Sequence, residues 1–166
     1  MEFYRVTKDS PNWHFKAYDY VRTDAFCFGQ NIKIETEFSH DDPDEEIQAI
    51  VAIDDHKPIA GLRITYPAPN IGRIGRVCVV RERQKSGIGK QLIAEAEKWI
   101  FETGVTHVVI TAQDRAAGFY EKCGYTINPN IDPDIFDPHK LTLSPEERIK
   151  RRGANGFVCV TMEKDL

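Results

Sequence analysis

Two glycines, Gly87 and Gly89, lie in a short basic stretch that follows a predicted strand and precedes a predicted amphipathic helix. Glycine allows backbone N–H groups to approach a ligand closely, because no side chain stands in the way. The N-terminus of a helix adds unpaired N–H groups and the positive end of the helix dipole, which favour phosphate. Four basic side chains add positive charge nearby: Arg81, Arg83, Lys85 and Lys90. The stretch therefore predicts a binding site for a pyrophosphate group.

Two common phosphate-binding motifs do not fit this stretch. A dinucleotide-binding fingerprint needs a third glycine at position 92, which is Leu92. A Walker A loop needs glycine at position 84 and serine or threonine at position 91, and both positions are glutamine. The pattern that remains is Gln-x-x-Gly-x-Gly over residues 84–89. Taken alone, this short pattern also fits an ordinary glycine-containing turn between a strand and a helix.

The second informative stretch reads Gln-x-x-x-x-x-Phe-Tyr-x-x-x-Gly-Tyr over residues 113–125. An apolar run over residues 106–112 precedes it and predicts a buried parallel strand. A short helix is predicted to carry Phe119 and Tyr120 and to end at Gly124. Because the two motifs are separated by one helix and one strand, their order argues against a chance match.

The two motifs resemble motif A and motif B of the GNAT N-acyltransferases. The resemblance is specific over residues 71–127 and looser over residues 11–66, where Arg22 and the pattern Phe26-x-x-x-Gln30 resemble the first helix of a small bacterial single-domain subgroup. It implies the α+β GNAT acyl-CoA N-acyltransferase fold, in which a mixed, splayed sheet of about seven strands is flanked by helices. It also implies that the pyrophosphate bound at motif A belongs to acetyl-CoA.

The same resemblance implies which residues contact the cofactor. The pantetheine arm would pair with the backbone of Val77, Cys78 and Val79, in the gap between two splayed strands. Residues of the glycine loop would hold the pyrophosphate: Gln84, Lys85, Ser86, Gly87, Ile88, Gly89 and Lys90. Gln113 and Phe119 of the second motif complete the set. Many family members have asparagine at the position of Gln113, and a turn-capping role is the alternative for this longer side chain.

The implied reaction moves an acetyl group from acetyl-CoA directly to a primary amine, and it needs a proton for the leaving thiolate. By resemblance Tyr120 donates that proton, whereas the alternative for Tyr120 is an ordinary aromatic residue packed on the sheet. Backbone N–H near Val79 would polarise the thioester carbonyl. The strand before motif A carries no carboxylate. The general base is therefore left open between Glu35, Glu37, His40 and a water molecule.

Two other classes of protein stay open at this point. One is a non-catalytic acyl-CoA-binding or regulatory GNAT domain, and the other is a nucleotide-binding switch protein. The amine acceptor, whether a small molecule or a peptide, is also left open, because acceptor loops vary most within a fold. A homodimer is inferred only from the frequency of dimers in the family.

Composition fits one soluble domain over residues 1–166, with 41% hydrophobic and 29% charged residues. A formal net charge of −4 argues against a general nucleic-acid partner. The four cysteines form no Cys-x-x-Cys pair and the histidines are scattered, which predicts free thiols in a reducing cytoplasm and no metal site. No apolar run approaches the length of a membrane span, so no membrane association is expected.

The rest of the chain supplies elements that position these motifs. A strand at residues 3–7 and a helix from Asn12 to about Phe28, with Ser10 as its cap, precede an acidic loop at residues 31–48. An antiparallel meander is then predicted to lead into motif A, with strands at residues 50–54, 59–66 and 71–80. The helix after motif A is predicted to stop at Thr103.

Residues 128–155 are predicted to form an ordered insertion before the last strand at residues 156–162. Ser144 and Glu147 form a capping box with Pro145 at the first helical position, so one short helix is predicted here. The insertion is interpreted either as a surface decoration or as a flap that shapes the acceptor pocket.

Overall fold

The structure is a computed structural model that describes residues 1–39, 41 and 45–166. Its strands form a seven-stranded sheet in the order β1-β2-β3-β4-β5-β7-β6. The strands are β1 Glu2–Val6, β2 Gln48–Asp54, β3 Lys57–Ala68, β4 Ile71–Val79, β5 His107–Gln113, β6 Thr126–Ile127 and β7 Cys159–Asp165. The α-helices are α1 Asn12–Arg22, α2 Ile34–Phe38, α3 Ile88–Glu102, α4 Ala117–Lys122, α5 Pro138–Leu141 and α6 Pro145–Arg151. The prediction of an α+β fold with about seven strands is confirmed.

The chain divides into two compact units. Unit 1 comprises Met1–Thr65 and Ile74–Thr103, and unit 2 comprises Tyr66–Arg73 and Gly104–Leu166. The motif A segment lies in unit 1, and the motif B segment lies in unit 2. That residues 1–166 act as one domain stays a prediction.

Unit 1 contains the antiparallel strand pair that begins the predicted meander. β1 pairs antiparallel with β2, and β2 pairs antiparallel with β3 through a register shift between Ala52 and Ile53. The central residues of β2, from Ala49 to Ala52, are fully buried. This burial explains why β2 reads as a continuous apolar run rather than as an alternating one.

Helix α1 lies very close to β3. A Cβ atom at Gly61 of β3 would lie 2.9 Å from Cγ2 of Val21 and 3.1 Å from Cδ2 of Tyr18. Glycine is required here because a larger residue would push the helix away from the strand. Helix α3 buries the apolar stripe that its sequence predicts. The buried residues of this stripe are Leu92, Ile93, Ala96 and Ile100.

The start and the end of the first helix differ from the prediction. Pro11 is the N-cap residue, and Ser10 instead accepts a hydrogen bond from the backbone N–H of Thr7 at 2.9 Å. The helical path does continue to Phe28, but residues Thr23–Phe28 form a π-helical turn. A π-helical turn is rare and occurs mostly within α-helices, so the apolar pattern predicted an ordinary helix here.

Unit 2 is built around β7, which pairs antiparallel with β5 and with β6. The last strand begins at Cys159 rather than at residue 156, because Gly156 has a φ of 82° and ends a turn. The predicted N-cap is confirmed, since Ser144 accepts a hydrogen bond from the N–H of Glu147 at 3.2 Å. The carboxylate of Glu147 accepts a hydrogen bond from Nε of Arg151 at 2.8 Å instead of closing the predicted capping box.

The insertion contains more helix than predicted. A 3₁₀ helix at Pro133–Phe136 and α5 precede α6, and each of the two begins with a proline. Asp132 and Asp137 are their N-caps, and each side chain accepts hydrogen bonds from the first backbone N–H groups. An Asp-Pro pair is therefore the helix-start signal that the sequence analysis missed.

Candidate active site

The N-terminus of α3 is built by Gly87. This residue is the helix N-cap with a φ of 82°, and no side chain caps the helix. A Cβ atom at Gly87 would meet no atom within 4 Å, so the backbone conformation rather than crowding selects glycine. The first N–H groups of the helix, from Ile88 to Lys90, therefore have no side-chain acceptor in the described chain and can bind an anion. Ile88 is buried and anchors this end of the helix.

The turn before α3 is held by hydrogen bonds from side chains of the motif to the backbone that precedes it. The side-chain amide of Gln84 donates to the backbone carbonyl of Val79 at 3.2 Å. The hydroxyl of Ser86 donates to the carbonyl of Arg83. Lys85 adopts a φ of 60°, which reverses the chain immediately before the helix. The glutamine that defines the motif thus connects the turn to the end of β4.

Two of the four predicted cations are already neutralised. Nη2 of Arg81 lies 3.0 Å from Asp24, which also accepts a hydrogen bond from the backbone N–H of Arg81 at 2.8 Å. Nη2 of Arg83 lies 2.7 Å from Asp54. Burial alone would raise the pKa of Asp24, but the hydrogen bonds and charge of Arg81 lower it. The expectation that all four cations surround an anion is therefore corrected.

Lys85 and Lys90 are exposed, and neither has a carboxylate within 4 Å among the residues that the structure describes. Their charges are therefore available to an incoming anion, whereas Arg81 and Arg83 fix the turn to the π-helical segment and to β2.

Strand β4 contains an irregular residue immediately before the three predicted arm contacts. Arg76 has a φ of 51°, which is unusual for a long side chain in a strand. Val77 and Val79 are half-buried, and Cys78 is 4% exposed. The thiol of Cys78 donates to the carbonyl of Gly61 at 3.5 Å, and burial raises its pKa to about 12. Cys78 is therefore a neutral thiol and a poor nucleophile.

This protonation state makes a prediction for thiol chemistry. A pKa of about 12 leaves a thiolate fraction on the order of 10⁻⁴ at pH 8. Iodoacetamide should therefore label Cys78 much more slowly than the half-buried cysteines, which are Cys27, Cys123 and Cys159. Mass spectrometry of tryptic peptides over time measures each rate, and labelling in urea should bring the four rates together. Equal rates in the native protein would contradict the burial of this thiol.

In unit 2, Tyr120 is 7% exposed and lies on α4. Its ring centroid is 5.0 Å from that of Phe119, which is 36% exposed, and 6.3 Å from that of Tyr125. The carbonyl of Tyr120 accepts a hydrogen bond from the N–H of Tyr125 at 3.1 Å, and Gly124 reverses the chain with a φ of 92°. The aromatic residues of the second motif are thus brought together.

Gln113 ends β5 and precedes a 3₁₀ turn at Asp114–Ala116. Its side chain makes no capping bond to that turn, and its oxygen instead accepts a hydrogen bond from Nε of Arg115 at 2.7 Å. The turn-capping alternative for Gln113 is therefore not what the structure contains.

The general-base candidates differ sharply in environment. Glu37 is 2% exposed and accepts a hydrogen bond from Nε of Arg22 at 2.9 Å. Nε of Arg76 lies 3.6 Å from the same carboxylate oxygen. Glu35 is exposed on the same short helix, and His40 lies outside the described residues. Glu37 is thus bound into a buried ion pair, which explains its position without a role as a base.

The ion pair belongs to a network that sequence analysis did not find. Arg22 is 1% exposed and also donates to Asp41 at 2.8 and 3.1 Å and to the backbone carbonyl of Glu37 at 3.0 Å. We call Arg22, Glu37 and Asp41 the Arg22 cluster. Burial opposes the charge of Arg22, but the hydrogen bonds and charges of these carboxylates outweigh it and raise its pKa. The available signal was a charged residue next to the apolar face that Tyr18 and Val21 define.

A comparison with protein-family models matches residues 8–125 to the acetyltransferase (GNAT) family. The chain belongs to this family. Its predicted family, fold class and enzyme class, N-acetyltransferase, are thereby confirmed. Which residues bind the cofactor and which act in catalysis stays a prediction.

Individual relatives agree with this assignment. An uncharacterized N-acetyltransferase, YjcF of Bacillus subtilis (strain 168), is 31% identical over 108 residues, which cover 65% of this chain and 75% of the relative. The crystal structure of a putative N-acetyltransferase from Lactobacillus plantarum is 28% identical with a TM-score of 0.72, covering 100% of this chain and 99% of that one. The PaiA N-acetyltransferase of Thermoplasma acidophilum, crystallised in complex with coenzyme A, shares the fold at 16% identity and a TM-score of 0.67, with both chains fully covered.

Within the described residues, no helix combines the length and the apolar character that crossing a membrane requires.

Proposed function

We propose that this GNAT protein transfers the acetyl group of acetyl-CoA directly to a primary amine of a small molecule or a peptide. The observation that carries the proposal is the uncapped N-terminus of α3, where Gly87 in a left-handed conformation opens the first N–H groups to an anion. The Thermoplasma relative, which was crystallised with coenzyme A, supports the choice of cofactor.

The pyrophosphate of the cofactor binds where α3 begins. The N–H groups from Ile88 to Lys90 donate to its oxygens, and the helix dipole favours its negative charge. Lys85 and Lys90 add two charges without an ion-pair partner in the described chain. Gln84 and Ser86 hold the turn in shape through their bonds to Val79 and Arg83.

The pantetheine arm pairs with the backbone of Val77, Cys78 and Val79, which follow the irregular residue of β4. An arm that runs along a strand gains main-chain hydrogen bonds, as added strands do in peptide recognition. Gln113 and Phe119 provide the remaining contacts with the cofactor.

The reaction joins the amine nitrogen to the thioester carbon and breaks the carbon–sulfur bond. The amine loses a proton, and the departing thiolate of coenzyme A takes one from the phenol of Tyr120. Backbone N–H near Val79 polarises the carbonyl. Glu35, His40 or a water molecule accepts the amine proton, because the carboxylate of Glu37 is held by Arg22. The buried, neutral thiol of Cys78 supports direct transfer over an acyl-cysteine route.

Replacing Gly87 with aspartate tests the proposal. The substitution places a carboxylate beside the N–H groups that the diphosphate would use, so it should raise the Kd of coenzyme A by about tenfold or more, equivalent to about 1.4 kcal/mol. Isothermal titration calorimetry measures the affinity. An unchanged Kd of coenzyme A for Gly87→Asp would overturn the proposal.

Two control variants separate charge from backbone strain. Asparagine has nearly the same volume as aspartate and tolerates a left-handed conformation, but it carries no charge. Gly87→Asn should therefore lose less affinity for coenzyme A than Gly87→Asp does. Gly153 has a similar φ of 75° with open space around it, and Gly153→Asp should bind coenzyme A as the wild type does.

We further propose a cytoplasmic location and a homodimer. Four cysteines that remain free thiols support a reducing compartment. The dimer is supported only by its frequency in the family, and sedimentation equilibrium measures it directly.

A further inference from the structure

A cavity of about 180 Å³ lies in unit 1, beside α1, the start of β2 and the end of β3. Its volume is far larger than one water molecule needs, yet it is below the roughly 300 Å³ at which pockets for drug-sized ligands begin. The cavity therefore suits a small ligand. Tyr18, Arg22 and Ile64 are its deeply buried lining residues, and Glu45 and Glu46 are exposed at its edge.

Two oxygen atoms of lining residues have no hydrogen-bond partner among the described residues. They are the hydroxyl of Tyr18, a side chain that is 1% exposed, and the amide oxygen of Gln48. Burial raises the pKa of Tyr18, so its hydroxyl stays neutral and can accept a hydrogen bond. Buried polar atoms rarely stay without a partner, because nothing then compensates for their lost hydration. Both atoms thus favour a ligand that donates N–H groups.

The charges around the cavity determine whether a positively or a negatively charged ligand is favoured. Four carboxylates and two guanidinium groups line it: Asp19, Asp41, Glu45, Glu46, Arg22 and Arg63. The donors of Arg22 are engaged by Glu37 and Asp41, and Nη1 of Arg63 lies 3.8 Å from Asp41. Nη1 of Arg22 also lies 3.8 Å from Asp19, and Nζ of Lys8 lies 3.9 Å from Glu46, whereas Glu45 has no ion pair among the described residues. Four carboxylates against two guanidinium groups still leave the lining net negative. A cation is stabilised here and an anion is not.

Two aromatic rings of α1 add to this preference. Phe15 and Tyr18 both line the cavity, one helical turn apart. A positively charged ammonium group is attracted to the face of an aromatic ring. The guanidinium of Arg22 already lies 5.1 Å from the centroid of the Tyr18 ring, so Phe15 is the ring that an incoming ammonium group would use. Apolar rings also suit the methylene groups that an aliphatic amine carries.

Contacts also connect the cavity to the strand that is proposed to hold the thioester. The ring of Tyr18 packs on Gly61, where a Cβ atom would lie 3.1 Å from Cδ2 of the tyrosine. The carbonyl of Gly61 accepts a hydrogen bond from the thiol of Cys78. Tyr18 in the cavity wall is thus connected through one residue, Gly61, to Cys78 of the strand that is proposed to hold the pantetheine arm.

We propose that this cavity binds one ammonium group of a small aliphatic diamine or polyamine, which is the acceptor of the acetyl group. One positively charged nitrogen is held by Asp19, Glu45, Glu46 and the oxygens of Tyr18 and Gln48. A second nitrogen of the same chain, in its neutral form, attacks the thioester. This inference rests on the proposed function, because it assigns a substrate class to the same enzyme.

Calorimetry on the full-length protein without coenzyme A tests the cavity by itself. 1,4-Diaminobutane should bind, and 4-amino-1-butanol, which replaces one ammonium with a hydroxyl, should bind at least about tenfold more weakly. The double variant Glu45→Gln, Glu46→Gln should weaken diamine binding by about tenfold. A matched double variant at exposed carboxylates that do not line the cavity, Glu121→Gln with Glu146→Gln, should leave it unchanged.

The outcomes decide separately on the cavity and on the proposed function. Equal binding of the diamine and the amino alcohol, or wild-type diamine affinity in the Glu45/Glu46 variant, would overturn the cavity proposal. A coenzyme A titration of the same samples provides the second readout, and the Glu45/Glu46 variant should bind it normally. Diamine binding without coenzyme A binding would reject the proposed function while supporting the cavity. In the acetylation assay, the double variant should raise the KM for the diamine by about tenfold with kcat nearly unchanged.

Discussion

The variant Tyr120→Phe is expected to lower kcat by about 10²-fold to 10⁴-fold and to leave the affinity for coenzyme A unchanged. Proton transfer by a positioned side chain contributes a factor of this size. Phenol and thiol groups lose their protons in neighbouring pH ranges, so a tyrosine can protonate a departing thiolate. Stopped-time assays of free thiol release measure kcat, and calorimetry measures the affinity.

The neighbouring Tyr125 provides the control for this variant. Tyr125 is 2% exposed and its ring lies 6.3 Å from that of Tyr120, so Tyr125→Phe also removes a buried hydroxyl without removing the proposed acid. Tyr125→Phe should retain kcat within about threefold. Comparable losses in both variants, or wild-type turnover in Tyr120→Phe, would show that Tyr120 packs on the sheet and does not donate a proton.

The second large effect concerns stability. Glu37→Gln should lower the free energy of unfolding by about 3 kcal/mol, because it leaves the buried charge of Arg22 with fewer opposite charges. Asp41 still pairs with Arg22 in this variant, which keeps the loss at the lower end of the range for broken buried ion pairs. Urea unfolding followed by circular dichroism gives the value, and a loss of this size is a large part of the total stability of a small protein.

Glu35→Gln is the matched control, since Glu35 is exposed two residues earlier on the same helix. Its effect on stability should stay within about 0.5 kcal/mol. The same two variants also distinguish between Glu35 and Glu37 as candidates for the general base. If Glu37→Gln unfolds at the wild-type urea concentration but has lost turnover, Glu37 acts as the base and the structural role is wrong.

The local elements of both motifs could be predicted closely from the sequence. The strand before motif A was predicted at residues 71–80 and is Ile71–Val79, and the following helix ends at Glu102 with Thr103 as its C-cap. These signals are local: β-branched residues, glycines and an apolar stripe at helical spacing. The prediction of a pyrophosphate site depends on the same few residues.

The ion pairs that fix the turn before α3 could not be predicted. Arg81 and Asp24 are 57 positions apart, and Arg83 and Asp54 are 29 apart. Their pairing depends on where the π-helical turn and β2 lie in the fold. The spacing of residues along the sequence does not indicate these positions. The Arg22 cluster was missed for the same reason, since Glu37 lies in a segment whose acidity suggested a solvated loop.

A cofactor held through main-chain amides places few demands on side-chain identity. The N–H groups from Ile88 to Lys90 are main-chain atoms, so a change of side chain at position 90 leaves the same peptide group in place, provided that the chain reverses at Gly87. Substitutions at such positions change the surface of the loop without removing the amides that are proposed to bind the anion. Recognition through backbone amides therefore specifies only a short sequence pattern in which several positions accept different residues.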